Sequence, residues 1–153
     1  VRMAQAGPVR STPLDEQLCF ALYAASRAMT SCYRPMLDAL DLTYPQYLVL
    51  LVLWERGEST VTAIGKALQL ETGTLSPLLK RLEAAGLITR ARQAGDERSV
   101  LVSLTEAGRG LETRVAETQV NVGAATGLGR GEIRELRETL RLLSERLRAA
   151  AAG

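Results

Sequence analysis

The sequence predicts a mainly α fold that carries one small β hairpin. Three patterns lead there. Apolar residues recur at helical spacing through most of the chain, as a helix with one buried face requires. The stretch 87–104 switches to strand-like spacing, with Val100, Val102 and Leu104 alternating. Further on, Ile133, Leu136, Leu140, Leu143 and Leu147 step by 3, 4, 3 and 4 residues, the seam of a helix that packs on another helix.

Residues 1–13 are small, polar and proline-containing, and are expected to form a loose, flexible arm. The remainder, 14–153, fits a single domain of ordinary size. From Leu14 to about Leu40, residues Leu18, Leu22, Ala25, Met29, Cys32 or Tyr33, Met36 and Leu40 mark a first helix. Asp15 suits its N-terminus, and Pro35 should kink it by removing a backbone donor. Thr43-Tyr44-Pro45-Gln46 reads as a capping box for a second helix that stops near Gly57. Its Leu and Val residues surround it almost completely, which predicts burial.

Thr62 is expected to cap a short third helix, and Thr72 a fourth whose core face is Leu75, Leu78, Leu79 and Leu82. Gly86 is a natural stop. Two strands, 87–92 and 98–104, flank a turn holding Gly95 and Asp96. Thr105-Glu106 then opens a fifth helix, broken by Gly127 and Gly129 ahead of a sixth from about Glu132 to Ala150. Arg134, Glu138, Arg141 and Glu145 cover the polar face of that last helix.

Helix, turn, helix and hairpin in this order build a winged helix-turn-helix, whose second helix enters a DNA major groove. That helix carries Thr72, Thr74, Ser76, Lys80 and Arg81 away from its Leu face. Thr and Ser suit base edges and phosphates, and Lys and Arg suit phosphate oxygens. Arg90, Arg92 and Arg98 lie on the hairpin, where an arginine can reach a narrow minor groove. One basic helix alone is more often a solvated face; the complete order with arginines on the hairpin is what favours DNA.

The net charge of +2 gives no global attraction to nucleic acid, so basic residues must act locally. The absence of histidine and the presence of only two cysteines argue against a metal centre, and no cofactor is expected. The apolar run near Tyr47–Trp54 is too short to span a bilayer, and no secretory pattern stands at the start. A cytoplasmic protein without membrane contact is therefore expected, with its cysteines as thiols.

The core resembles the MarR family of winged-helix regulators. Asp96-Glu97-Arg98-Ser99 is similar to that family's wing motif, which implies an arginine in the minor groove braced by the aspartate. The segment from Leu79 to Ile88 resembles the end of its recognition helix. The resemblance implies an obligate homodimer through N- and C-terminal helices, with 14–57 and 105–150 for dimerisation and sensing and 60–104 as the DNA-binding lobe. It implies a pseudo-palindromic operator, and it agrees with the Ile133–Leu147 seam.

Two segments, 17–23 and 42–50, resemble the organic hydroperoxide sensors of this family (the OhrR branch). The resemblance implies Cys19 as the redox-sensing residue and Tyr33 and Tyr44 as hydrogen-bond partners of its sulfur. Taken alone, Cys19 reads as a small buried hydrophobe, although the first turn of a helix suits a thiolate. Tyr33 follows Cys19 by 14 positions, about 21 Å of helix, so it can meet only the Cys19 of another copy. Cys32 is read as core packing. With no cysteine after residue 115, the chain resembles the one-cysteine type, in which a low-molecular-weight thiol forms a mixed disulfide. The expectation is a repressor released by organic hydroperoxide, and not an enzyme. The alternatives are release by a non-covalent phenolic ligand, a thiol peroxidase, and a purely structural dimer module.

Overall fold

The computed structural model describes residues 7–93 and 99–153. The chain divides into two compact units, Val1–Arg109 and Gly110–Gly153. In the first, residues 7–13 have no regular secondary structure and are exposed. A single 3-10 turn, Leu14–Glu16, precedes α1 (Leu18–Ala39). The first helix therefore begins later than its apolar spacing suggests, and Asp15 lies in the 3-10 turn. α1 continues through Pro35. It ends where Asp41 takes a φ of 55° and the Leu42 amide bonds back to the Leu37 carbonyl at 2.9 Å, the closing turn of a Schellman-type cap.

The capping box of α2 (Tyr44–Arg56) forms as read. The Thr43 amide donates to Gln46 Oε1 at 3.0 Å, and the Gln46 amide donates to Thr43 Oγ1. α1 and α2 meet at an angle of 81°. Val49, Leu50 and Leu53 of α2 are at most 1% exposed, as expected of a helix apolar on nearly every side.

A short strand, β1 (Ser59–Thr60), precedes α3 (Val61–Leu68). This corrects the cap assignment. Thr60, not Thr62, caps α3, its side chain accepting from the Ala63 amide at 3.1 Å. Thr72 is likewise the first residue of α4 (Thr72–Ala84), with Glu71 at the cap position. Both helices begin earlier than a threonine-first reading predicts, because the preceding residue is already extended and hands the chain directly to the helix.

β2 (Ile88–Arg92) pairs antiparallel with β3 (Val100–Leu104), and β3 pairs antiparallel with β1. Among the described residues the sheet is thus three-stranded, in the order β1–β3–β2, where the sequence suggested two strands. Two residues carry too little alternation to reveal β1. The core of this unit is built from Leu50, Leu53, Ile64, Leu75, Leu79, Leu82, Ile88 and Val102, all under 2% exposed. Thr105 then caps α5 (Glu106–Gly110), its hydroxyl accepting from the Gly108 amide and donating to the Gly86 carbonyl. The tip of the hairpin, with Asp96 and Arg98, lies outside the described residues.

The second unit holds α6 (Glu112–Ala125) and α7 (Arg130–Ala152). The expected single fifth helix is therefore two, α5 and α6, which separate at Leu111 beside Gly110. Gly127, with a φ of 70°, turns the chain, and the Glu132 carboxylate accepts from the Gly129 amide to cap α7. α7 has 23 residues and buries none of them. Its seam residues Leu136, Leu140 and Leu147 are 48%, 38% and 56% exposed. On its polar face Arg141 pairs with both Glu138 and Glu145. Among the described residues no single helix is long and apolar enough to cross a membrane.

Candidate nucleic-acid interface and thiol site

Every polar residue predicted for the recognition helix is exposed: Thr72, Thr74, Ser76, Lys80 and Arg81. Leu75, Leu79 and Leu82 anchor the opposite face. At 100° per residue, Thr72, Ser76 and Lys80 form one row along α4, and Thr74 and Arg81 form another. Gly73 and Pro77 run between them as the outermost ridge. A Cβ built on Gly73 would meet nothing within 4 Å, so the backbone of α4 is open to close approach along this line. Arg81 also borders a cavity of about 290 Å³ with Asp41, Leu42, Thr43, Gln46, Leu82 and Ala85.

Arg90 is not a free cation. Its guanidinium donates to Glu83 Oε1 at 3.1 Å, and its backbone amide donates to Glu83 Oε2 at 3.2 Å. One carboxylate on α4 thus holds both the side chain and the backbone of β2, and the Arg90 guanidinium keeps the Glu83 carboxyl below the usual carboxylate range. Glu83 escaped the sequence reading because a seven-residue separation across a turn has no helical or strand periodicity to reveal it. The pairing makes a distinction measurable. Lys80→Ala should reduce the slope of log affinity for DNA against log salt by about one. Arg90→Ala should leave that slope nearly unchanged, because its charge is already matched by Glu83. Equal slope losses in fluorescence-anisotropy titrations would show Arg90 to be a phosphate contact.

Cys19 lies at the second position of α1, and its thiol donates to Gln17 Oε1 at 3.7 Å. It is exposed, not a buried hydrophobe. Phe20 and Tyr23 beside it are 41% and 60% exposed, and Leu14 and Leu18 are 61% and 60%, so the thiol stands on an uncovered apolar surface. Cys32 is exposed as well. This corrects its assignment to core packing: within α1 only Met36 and Leu37 are buried, so the core-facing stretch begins after Cys32.

Tyr33 and Tyr44 come together across the α1–α2 corner, their ring centroids 5.8 Å apart and edge to face. Tyr47 completes a triangle, 5.3 Å from Tyr33 and 5.4 Å from Tyr44. Burial, then the neighbouring Tyr47, pushes the Tyr33 hydroxyl far above the ordinary phenol value, with a side-chain hydrogen bond to Tyr47 contributing. Burial followed by Tyr47 also raises Tyr44. Both phenols are thereby kept neutral and able to donate. Tyr47, 2% exposed, was hidden in the apolar run of α2; its spacing of one helical turn from Tyr44 is the signal that places both on one face.

Residues 31–115 match the family model described as transcriptional regulator SarA/Rot. The chain is 48% identical over 151 residues to the HTH-type transcriptional regulator TtmR of Methylorubrum extorquens, covering 99% of this chain and 77% of that one. It is also 48% identical over 134 residues to the organic hydroperoxide resistance transcriptional regulator of Bacillus subtilis, covering 88% and 91%. Reduced AbfR of Staphylococcus epidermidis bound to DNA superposes with a TM-score of 0.74 at 37% identity, covering 88% of this chain and 94% of that one.

Proposed function

Because this chain belongs to the MarR/OhrR-type winged-helix transcriptional regulators, we propose that it is a repressor that senses organic hydroperoxides through Cys19. The observation that carries the reading is the exposed Cys19 thiol on an uncovered apolar surface, in a chain 48% identical to the Bacillus subtilis hydroperoxide regulator. An apolar approach favours a hydroperoxide with a greasy substituent over hydrogen peroxide.

The Cys19 thiolate attacks the outer oxygen of the hydroperoxide. The O–O bond breaks, sulfur becomes the sulfenic acid, and the alcohol leaves after taking up a proton. A low-molecular-weight thiol then displaces hydroxide from that sulfur, releasing water and leaving a mixed disulfide. Tyr33 and Tyr44 donate hydrogen bonds to the sulfur. Two copies assemble through α1 and the Ile133, Leu136, Leu140, Leu143 and Leu147 face of α7, which brings the tyrosines of one copy to Cys19 of the other. The dimer reads a pseudo-palindromic operator with Thr72, Thr74, Ser76, Lys80 and Arg81 in the major groove. Asp96 and Arg98 serve the wing, and Arg90 supports it by tying β2 to Glu83 of α4. Oxidation changes the separation of the two α4 helices, and a gene for peroxide detoxification is derepressed.

The test is binding of the full chain to DNA upstream of its own gene, followed by anisotropy with an organic hydroperoxide and a small thiol. Release is expected together with one thiol adduct on Cys19 in intact-mass and peptide analysis. Cys19→Ser should keep DNA binding and lose the response. An adduct confined to Cys32, or full release in Cys19→Ser, would sink the proposal, the second outcome pointing to a non-covalent ligand instead.

A further inference from the structure

We propose that the backbone carbonyl of Gly73 reads one base of the operator: it accepts a hydrogen bond from the exocyclic amine of an adenine or cytosine in the major groove. The inference rests on the proposed placing of α4 in that groove. Its basis is the pairing of Gly73 with Pro77, which lies inside α4 four positions later. In an α-helix each carbonyl accepts from the amide four residues on, and proline has no amide hydrogen. The carbonyls of Thr72 and Thr74 therefore meet the amides of Ser76 and Leu78, while that of Gly73 meets the Pro77 ring. Among the described residues, no amide from outside the helix donates to Gly73 either. One acceptor in the middle of an otherwise paired ladder is left free.

Its position suits a base edge. Gly73 is the second residue of α4, and a recognition helix meets bases with its N-terminal residues. Gly73 and Pro77 are both exposed and form the outermost ridge, opposite the buried Leu75, Leu79 and Leu82. The space beside Gly73 is open, since a Cβ there would meet nothing within 4 Å. Solvent-side carbonyls of a helix tilt outward, and the Pro77 ring adds to that by crowding the carbonyl behind it. The chemistry is also complementary. The polar side chains flanking this ridge are the hydroxyls of Thr72, Thr74 and Ser76, which donate or accept, and Lys80 and Arg81, which only donate. A carbonyl only accepts. The donors on the major-groove edges of the bases are the amines of adenine and cytosine. Guanine and thymine would turn an oxygen toward the carbonyl, so it selects against both.

Pro77→Ala supplies the missing amide. Its N–H draws the Gly73 carbonyl into the helix ladder, and alanine is the better helix former, so the lobe keeps its fold while the reading group is withdrawn. The readout is anisotropy of the full chain on DNA upstream of its own gene. In a series of duplexes each adenine or cytosine is replaced in turn by an analogue without the major-groove amine (an aminopurine with its amine on the minor-groove edge, or a pyrimidinone). At one position of each half-site the unsubstituted protein should lose about 3- to 10-fold in affinity, the size of one hydrogen bond. The base replaced there tells adenine from cytosine. Pro77→Ala should bind the natural duplex more weakly by a similar factor and lose nothing further at that position, which is the coupling expected of direct partners. If Pro77→Ala loses as much as the unsubstituted protein at every position, the carbonyl reads no base. If its loss is coupled instead to thymine methyls, as shown by uracil duplexes, the proline ring is the contact and the proposal falls. Either result leaves α4 as the groove reader. An unsubstituted protein indifferent to the amine analogues, to uracil for thymine and to deazaguanine alike would overturn that placing as well.

Discussion

Replacing Leu136 and Leu140 together with aspartate is expected to lower affinity for a two-half-site operator by about 10²- to 10⁴-fold. The reasoning starts from burial. α7 spans 23 residues yet buries none of them, while Leu136 and Leu140 lie one helical turn apart at 48% and 38% exposure. In the proposed dimer this uncovered apolar seam is half of the interface. Two aspartates there would have to be desolvated on association. The protomer keeps its core, because neither leucine belongs to it. A dimer that falls apart gives up the tethering that makes the second half-site contact nearly intramolecular. Sedimentation should show halved mass, circular dichroism unchanged helicity, and anisotropy the loss of tight binding. A double variant that stays dimeric and binds as before would remove α7 from the interface.

Gly108→Ala is expected to cost about 2–4 kcal/mol of stability. A Cβ at Gly108 would stand 2.2 Å from the Leu87 carbonyl oxygen and 3.1 Å from Leu104 Cδ2. Neither side can yield without loss. The Leu87 carbonyl accepts from the Thr105 amide at 3.0 Å, and the Gly108 carbonyl accepts from the Trp54 indole at 3.0 Å. Moving α5 away would break the indole bond, and moving Leu87 would disturb the Gly86 turn that ends α4. Urea denaturation measures the effect. Gly73→Ala is the control: it meets nothing within 4 Å and should gain a few tenths to about 1 kcal/mol from better helix propensity. Equal midpoints for the two variants would mean that the contact at Gly108 is slack.

What was legible in the sequence follows from how local each signal is. The α2 capping box could be read because both partners lie within four residues, Thr43 to Gln46. The recognition helix could be read because Leu75, Leu79 and Leu82 repeat at one-turn spacing and no competing pattern overlies them. The sequence puts Cys19 near the start of its helix, and it is the second residue of α1, but its exposure depends on what covers α1, which no local pattern encodes. Cys32 shows the cost of that limit: it keeps helical register with Met36, yet α1 meets the core only from Met36 onward. Tyr47 looked like one more apolar residue of α2, and only the fold brings Tyr33 to it. The Glu83–Arg90 pair forms across the turn between α4 and β2, at a spacing that matches no regular period, whereas strand β1 is a tertiary fact, made by β3 arriving from a distant part of the chain. Thr60 took the cap from Thr62 for the same reason, since β1 decides where α3 starts.

The pairing of β1 with β3 also sets an order in time. Ser103 reaches back to Glu58 across 45 residues, and Gly108 to Trp54 across 54. Loops of that length lose conformational entropy before their closing contacts form, and non-local pairings are correspondingly slow. On a ribosome adding about 5–20 residues per second, α3 and α4 emerge first and wait, without their third strand or the indole bond, for several seconds. The winged-helix lobe of each new copy is thus finished only after the whole hairpin and α5 have appeared.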